Sequence, residues 1–293
     1  MIRFLFFLSL VPFSFLAQAQ NFSLGGNVGV EFVQKKVYDF STVSVYYDYT
    51  LAENPGSKEK KQGETVLMIG QEYWGFTDWN SYKADSLQDA YAAQGLPSKE
   101  LIDKLMREKK QNPDQANYLY PVVISRQDGT CTIQMKATSF GTIYQYDEPL
   151  PEIAWHLVDD SCRIQDLECT KATCQFGGRN WVAWYTQQYD IPFGPYLFGG
   201  LPGLIVALED STGDYSFKLS GIQMTPNGRP IYLRNKKNFV VYTTREKAMQ
   251  GVKNECGDVT KALMARSAST ARQHKGALLN IKKSVPYNPI ELE

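Results

Sequence analysis

Few side chains in this sequence have the types and spacings that catalysis requires. The chain has two histidines, His156 and His274, which lie far apart in the sequence. A shared metal site would need the fold to bring them together, so the sequence predicts no metal site. The sequence also contains no Gly-x-Ser-x-Gly elbow, no phosphate-binding loop and no His-Glu-x-x-His helix. We therefore predict no catalytic residue and no cofactor.

Cysteine is the remaining nucleophile to consider. The chain has five, at Cys131, Cys162, Cys169, Cys174 and Cys256. In an exported protein this number predicts disulfide bonding with at least one thiol left over. Cys169 and Cys174 are expected not to pair with each other, because one extended strand would hold them too far apart. Cys169 could act as a nucleophile only if a cation such as Lys171 lowered the pKa of its thiol, and we do not favour this role.

Aromatic side chains are concentrated next to an arginine. Trp181 and Tyr185 alternate with Trp184 along one predicted strand, so the two sets point to opposite faces of a sheet. A concave face lined with such rings, with Arg179 at its rim, would form a groove for an apolar or peptide-like ligand. Packing of the rings in the core, with Arg179 bonded to Asp190 or Asp210, is the structural alternative. The candidate ligand-binding residues are Arg179, Trp181, Trp184, Tyr185, Tyr196 and Phe198.

A segment rich in glycine and proline follows these aromatics. Pro202 fixes its φ at about −65° and Gly203 tolerates a positive φ, so the segment fits a type II turn. A strand should begin at once, from Leu204. We interpret the segment as a turn and strand that the fold requires, in preference to a cradle for a ligand. Its residues are Gly200, Leu201, Pro202, Gly203, Leu204 and Ile205.

These six residues are the namesake of the GLPGLI family of exported bacterial proteins, which this chain resembles. The resemblance is dense between Cys169 and Asp210 and returns at the C-terminus, in Tyr287-Asn288-Pro289-Ile290-Glu291-Leu292. It implies an exported protein and no particular activity. The other matching residues are Cys169, Lys171, Ala172, Gly178, Arg179, Trp181, Trp184, Tyr185, Thr186, Ile191, Pro192, Gly194, Pro195, Tyr196 and Phe198.

Alternation of apolar and polar residues dominates the chain and predicts the elements that hold these side chains. Residues 43 to 49 alternate strictly, and similar runs recur between 65 and 243. Helices are predicted in an excursion at about 85–112, near Arg245 and from about 258 to 274. The predicted fold class is therefore α+β and β-dominated, with a large curved antiparallel sheet or a partly closed barrel and a few helices.

The N-terminus has the order of residues found in a secretory leader. A single charge at Arg3 precedes an apolar run from Phe4 to Leu16 and small residues up to Ala19. We predict a signal peptide at 1–19, a single domain at 20–293, and a periplasmic or secreted protein. The apolar run is shorter than the roughly 20 residues that cross a bilayer, so no transmembrane segment is predicted.

The charge balance excludes one class of partner. The chain carries 31 lysines and arginines against 31 aspartates and glutamates. A nucleic-acid-binding protein would show a clustered positive surface, so no nucleic acid is expected.

Together these features favour a non-enzymatic exported protein that binds a ligand or an envelope protein on its aromatic-rich sheet face. Two alternatives are open. One is an enzyme with an unfamiliar site near Arg179, Asp190 and Cys169, which would require a perturbed thiol or carboxylate inside a pocket. The other is a structural accessory of an outer-membrane assembly, which would require a flat exposed apolar patch.

Overall fold

One large sheet organises the chain. The computed structural model describes residues 29–139, 141–237, 239–266 and 283–292. The predicted leader at 1–19 and the second half of the predicted helix at 258–274 lie outside the described residues. The elements are β1 (Lys35–Leu51), β2 (Lys61–Ile69), β3 (Tyr73–Asp78), α1 (Trp79–Ala93), α2 (Ser98–Gln111), β4 (Val122–Ser125), β5 (Thr130–Met135), β6 (Ile143–Pro149), β7 (His156–Ile164), β8 (Leu167–Phe176), β9 (Arg179–Thr186), β10 (Leu204–Asp210), β11 (Tyr215–Arg234), β12 (Val240–Tyr242), α3 (Arg245–Gly257) and α4 (Val259–Arg266).

The sheet is open and almost entirely antiparallel. Its strand order is β12-β6-β5-β4-β3-β2-β1-β11-β10-β9-β8-β7, so β12 and β7 are its edges. Only the short edge strand β12 pairs in parallel, against β6, among the named pairs of the described chain. The predicted fold class is confirmed: the protein is β-dominated, with one large antiparallel sheet and few helices.

The alternation between residues 43 and 49 sets the two faces of the sheet. Tyr47 and Tyr49 are fully buried, whereas Asp48 between them is exposed. We call the face that carries Tyr47 and Tyr49 the inner face and the opposite one the outer face. The inner face holds the main core, where Tyr49 stacks on Phe217 with ring centroids 5.1 Å apart. Such a pair contributes about 0.5–1.5 kcal/mol beyond its buried area.

The strands β1 and β11 are longer than the others and bend. Three register shifts interrupt their pairing, which is how bulges curve a strand. Beyond the shift between Ser41 and Val43, the paired ends at 35–41 and 229–234 lie over the outer face of the sheet. The side chain of Gln134 donates to the backbone oxygen of Arg234 at 2.7 Å, and Ile231 joins a second apolar cluster there. We call these paired ends the arm.

Helix α1 covers the same cluster. Its first turn is capped by Asp78, whose carboxylate accepts a hydrogen bond from the backbone N–H of Ser81 at 2.6 Å. The predicted helical excursion is confirmed, but it begins earlier than expected, at Trp79 instead of about 85. None of the helices in the described residues is long and apolar enough to cross a membrane.

Candidate functional site

Arg179 opens β9 and is buried, with 6% of its surface exposed. Its Nη1 donates to Asp210 at 2.8 Å and to Asp214 at 3.4 Å, which places two carboxylates against one guanidinium. Both aspartates lie at the turn between β10 and β11, and both are buried. The guanidinium therefore fixes this turn against the start of β9.

The remaining donors of Arg179 bind the C-terminal segment. Its Nε donates to the backbone oxygen of Ile290 at 3.1 Å, and its Nη2 donates to the side chain of Asn288 at 2.6 Å and to the oxygen of Pro289 at 2.7 Å. The amide of Asn288 in turn donates to the oxygen of Ala52 at 2.7 Å. Residues 288–290 are thus held against the sheet by an arginine more than a hundred positions away in the chain.

Glu291 completes the attachment of this segment. Its carboxylate accepts hydrogen bonds from the hydroxyl of Tyr196 and from the guanidinium of Arg245. The backbone N–H of Leu292 donates to Gly177 at 2.8 Å. The two stretches that carry the family resemblance, near Arg179 and at the C-terminus, therefore form one bonded cluster. We call Arg179, Asp210, Asp214 and residues 288–291 the arginine cluster.

Four of the six candidate ligand-binding residues are core aromatics. Trp181 and Phe198 have ring centroids 4.8 Å apart on the inner face, and Tyr185 and Tyr196 are buried with them. The expected open groove lined by these rings with Arg179 at its rim is wrong, because the four rings and the guanidinium are between 0% and 6% exposed. Of the predicted set, only Trp184 is partly exposed, because strand alternation points it to the outer face.

The motif turn has the predicted positive φ at Gly203, but its hydrogen bonding differs from that of the predicted type II turn. Gly203 has a φ of 146°, so the predicted positive φ is confirmed. Its N–H donates to the oxygen of Leu201 at 2.8 Å, which makes a three-residue turn around Pro202 that is tighter than the predicted type II turn. A Cβ atom on Gly203 would lie 2.0 Å from the backbone oxygen of Thr186. Glycine is required at position 203 because the backbone there approaches the backbone of Thr186 too closely to leave room for a side chain.

The residues of the alternative enzyme site are not brought together. Phe176 is opposite Arg179 in the ladder. Cys169 lies seven positions before Phe176 on β8, so about 23 Å of strand separates Cys169 from the position of Arg179. Asp190 follows the far end of β9 and is exposed. Burial raises the pKa of the Cys169 thiol, opposite to the shift that a nucleophile needs.

The expected disulfide bonding is also absent, because all five cysteines are free thiols. Cys162 and Cys169 are directly opposite each other on β7 and β8. They lie two positions from the two-residue turn, at a hydrogen-bonded position of the ladder, where side chains stand farther apart than at the alternate positions. Cys169 and Cys174 share the unbroken strand β8, which agrees with the expectation that they do not pair.

A cleft of about 820 Å³ lies on the outer face, on the side of the sheet away from the buried aromatics. Its floor is formed by alternate residues of β9, β10 and β11, among them Trp184, Ala207 and Lys218. In the ladder Ala207 is opposite both Trp184 and Lys218, so the three form one row across the strands. The small side chain of Ala207 leaves the depression between a ring and an ammonium group.

The walls of the cleft come from two turns. The tip of the β7–β8 hairpin contributes Arg163, and it is tied to β11 by Gln165, which donates to the oxygen of Leu219 at 2.7 Å. The β10–β11 turn, residues 210–213, forms another wall next to Lys60. Arg179 is bonded to Asp210 and Asp214 of this turn, so the arginine cluster fixes the position of one wall of the cleft.

Sequence reasoning missed most of this cleft. Alternation did separate Trp184 from the core aromatics, and the same rule applied to β11 would have assigned Lys218 to the outer face. Lys218 and Trp184 lie in one row because β10 lies between β9 and β11. Arg163 reaches the cleft because the tip of the β7–β8 hairpin is bonded to β11. No spacing in the sequence indicates either fact.

Comparison with known proteins adds little to this geometry. No family model matches the chain, and no curated protein is similar to it. Among solved structures it is similar to PNGF-II in two crystal forms, with TM-scores of 0.43 and 0.42 and 10% identity in each. The similarity covers 74% and 73% of this chain but 34% and 33% of the other. This chain therefore spans about a third of that protein, and a likeness of this degree assigns neither site nor activity.

Proposed function

We propose that this chain is a non-enzymatic exported protein of the GLPGLI type that binds a ligand in the outer-face cleft. The cleft supports this proposal because its volume, about 820 Å³, is in the range of small-molecule sites, roughly 300–1,000 Å³. Its floor also presents an aromatic ring and an ammonium group in one row, so both an apolar and a charged contact are available to a ligand. Export is inferred from the leader-like N-terminus and from the family resemblance.

In this proposal the motif residues act as scaffold for the cleft. Strand β10 begins at Leu204, directly after the tight turn, and alternates between the core and the cleft. Leu204 and Leu208 are buried, whereas Ala207 and Glu209 face the ligand space. The arginine cluster then fixes the turn at the end of the same strand. The namesake motif would therefore determine where the floor of the cleft lies without contacting the ligand.

A binding role is favoured over catalysis because the guanidinium of Arg179 and the buried thiols are poorly suited to react with a substrate. The donors of Arg179 are engaged by carboxylates and backbone oxygens, so it has no free N–H for a substrate. The thiols of Cys169 and Cys174 have raised pKa values because of burial. These groups stabilise the fold and are poorly suited to react.

The test is to fill the cleft. Ala207→Trp places an indole in the depression beside Trp184, and Ala93→Trp, at an exposed position on α1, is the matched control. The full chain is purified from the cells that produce it and examined by native mass spectrometry. We expect a bound small molecule on the wild type and on Ala93→Trp, and its loss from Ala207→Trp with little change in melting temperature. A small molecule retained by Ala207→Trp, or a wild type that carries none, would contradict the proposal.

A further inference from the structure

We propose that the ligand of the cleft is an anion with a flat apolar part: a carboxylate, sulfonate or phosphate bound at Lys218 and Arg163, and a ring system against Trp184. This inference rests on the proposed function and adds the chemical class of the ligand. It is carried by the charges around the cleft and by their distance from the indole.

The first step is the row across the floor. Lys218 and Trp184 are two strands apart, each opposite Ala207 on β10. Neighbouring strands are about 4.8 Å apart, so the two backbone positions are separated by about 10 Å. A bicyclic ring system with an acidic substituent spans that distance. The ring would lie over Ala207, with one side against the indole and its anionic group at the ammonium.

The second step is the charge of the lining. Three cations, Lys60, Arg163 and Lys218, and one exposed carboxylate, Glu209, line the cleft. The other lining carboxylate, Asp210, is buried and already bonded to Arg179. A positively charged cleft attracts anions and concentrates them near its floor.

The third step is the availability of these cations. Lys218 makes no ion pair with any residue in the described part of the chain, although Asp48 is opposite it on β1. Arg163 is 3.5 Å from Asp166, but the two side chains are 67% and 99% exposed, and such pairs contribute little. Both groups can therefore bind an anion without breaking a strong contact.

The fourth step concerns the indole. The ammonium of Lys171 lies 5.4 Å from the ring centroid of Trp184 and is held by Asp160 at 3.1 Å. The usual site for a cation on this ring is thus already taken by the protein. A cationic ligand would meet Lys171 as well as Lys218, whereas an anionic ligand would be attracted by Lys218 and would meet no like charge at the indole.

The experiment uses two dyes that differ in one group. 8-Anilinonaphthalene-1-sulfonate carries a sulfonate on a naphthalene ring, and N-phenyl-1-naphthylamine has the same rings without it. Binding to the full chain is followed by dye fluorescence at low ionic strength. We expect the wild type to bind the sulfonate about fivefold more tightly than the uncharged dye, since one exposed charge pair contributes up to about that factor.

Variants then locate the anion. Lys218→Gln and Arg163→Gln should each remove most of the preference for the sulfonate, and Lys218→Arg should keep it. Lys99→Gln, an exposed lysine on α2, is the control and should leave the preference unchanged. All three positions are exposed, so the four variants are expected to fold, which the melting temperature checks.

The possible failures are distinguishable. Equal affinity for the two dyes, with both lost in Ala207→Trp, would overturn the anionic ligand and leave the proposed cleft in place. Dye binding that Ala207→Trp does not weaken would place both dyes elsewhere and overturn the use of the cleft as well. No saturable binding of either dye would overturn the flat anionic ligand.

Discussion

At the residue scale, Arg179 illustrates what a buried cation needs. A guanidinium removed from water is tolerated only when carboxylates and oxygens replace its hydration. Arg179 has both, with Asp210 and Asp214 on one side and the C-terminal segment on the other. Removal of the guanidinium would leave two buried carboxylates facing each other without a cation.

Arg179→Ala is therefore expected to destabilise the protein by about 3–5 kcal/mol, the usual cost of removing one partner of a buried ion pair. Arg179→Lys should cost less, because it keeps the charge and loses the planar fork that serves several acceptors. Urea unfolding followed by circular dichroism measures both. Arg163→Ala, at an exposed arginine, is the control and should stay within about 0.5 kcal/mol of the wild type. An Arg179→Ala variant as stable as this control would contradict the scaffold role.

At the element scale, the position of β10 depends on a close approach between two backbone segments at the tight turn. Gly203 is followed at once by Leu204, which is opposite Thr186 at the end of β9. The approach of the turn to the oxygen of Thr186 leaves no room for a side chain. The neighbouring Gly200 also has a positive φ, 84°, but a Cβ atom there would meet open space.

This contrast predicts different costs for the same substitution. Gly203→Ala should destabilise by at least about 3 kcal/mol, because backbone strain and a clash with a backbone oxygen add together. Gly200→Ala should cost only about 1–2 kcal/mol, since it introduces the left-handed strain alone. Equilibrium unfolding of the two variants gives the comparison. Equal costs at the two positions would show that the close approach to Thr186 does not matter.

At the scale of the whole molecule, the arm encloses charged groups as well as apolar ones. Lys136, directly after β5, is 8% exposed. Burial lowers the pKa of its ammonium to about 8, with Arg234 of the arm acting in the same direction. The carboxylates of Asp78 and Asp85 raise this pKa and only partly offset the burial. Closing the arm over the sheet therefore costs free energy whenever Lys136 is protonated.

Stability should consequently depend on pH in the alkaline range. Below pH 8 both states of the protein hold the Lys136 proton, and the folded state bears the full cost of burying the charge. Above pH 8 the folded state releases this proton more readily than the unfolded state, whose lysine pKa is about 10.4, so the cost of burying Lys136 falls as pH rises. Buried tyrosines and thiols, such as Tyr120 and Cys174, have raised pKa values and lower the stability above the unfolded-chain pKa values of about 10 and 8.5, so the contribution of Lys136 is isolated by comparing variants between pH 8 and 9.5.

Lys136→Met tests this dependence. It should stabilise the protein at pH 7, by on the order of 1–3 kcal/mol, and this advantage over the wild type should shrink between pH 8 and 9.5. Lys99→Met, at an exposed lysine, should leave both unchanged. Unfolding in urea at several pH values provides the curves, and a wild type and Lys136→Met with parallel curves would refute the prediction.

The sequence by itself determined the kind of fold. Alternation over residues 43 to 49, repeated along the chain, predicts strands with two unlike faces, and the structure is built from such strands. The positive φ of Gly203 and the helices near 85–112 were equally predictable, because turn chemistry and helical spacing are local properties. The opposite orientations of Trp181 and Trp184 follow from the same local rule.

Only the tertiary structure decided which of those faces is the core and which is the cleft. Alternation states that Trp181 and Trp184 point apart, but not which side the chain covers, and the buried side is the one where Phe198 and the C-terminal segment pack. The burial of Arg179 depends on residues 288–290, and the row from Trp184 to Lys218 depends on β10 lying between β9 and β11. Contacts between residues distant in the chain follow from strand order and sheet curvature, and local sequence patterns contain neither.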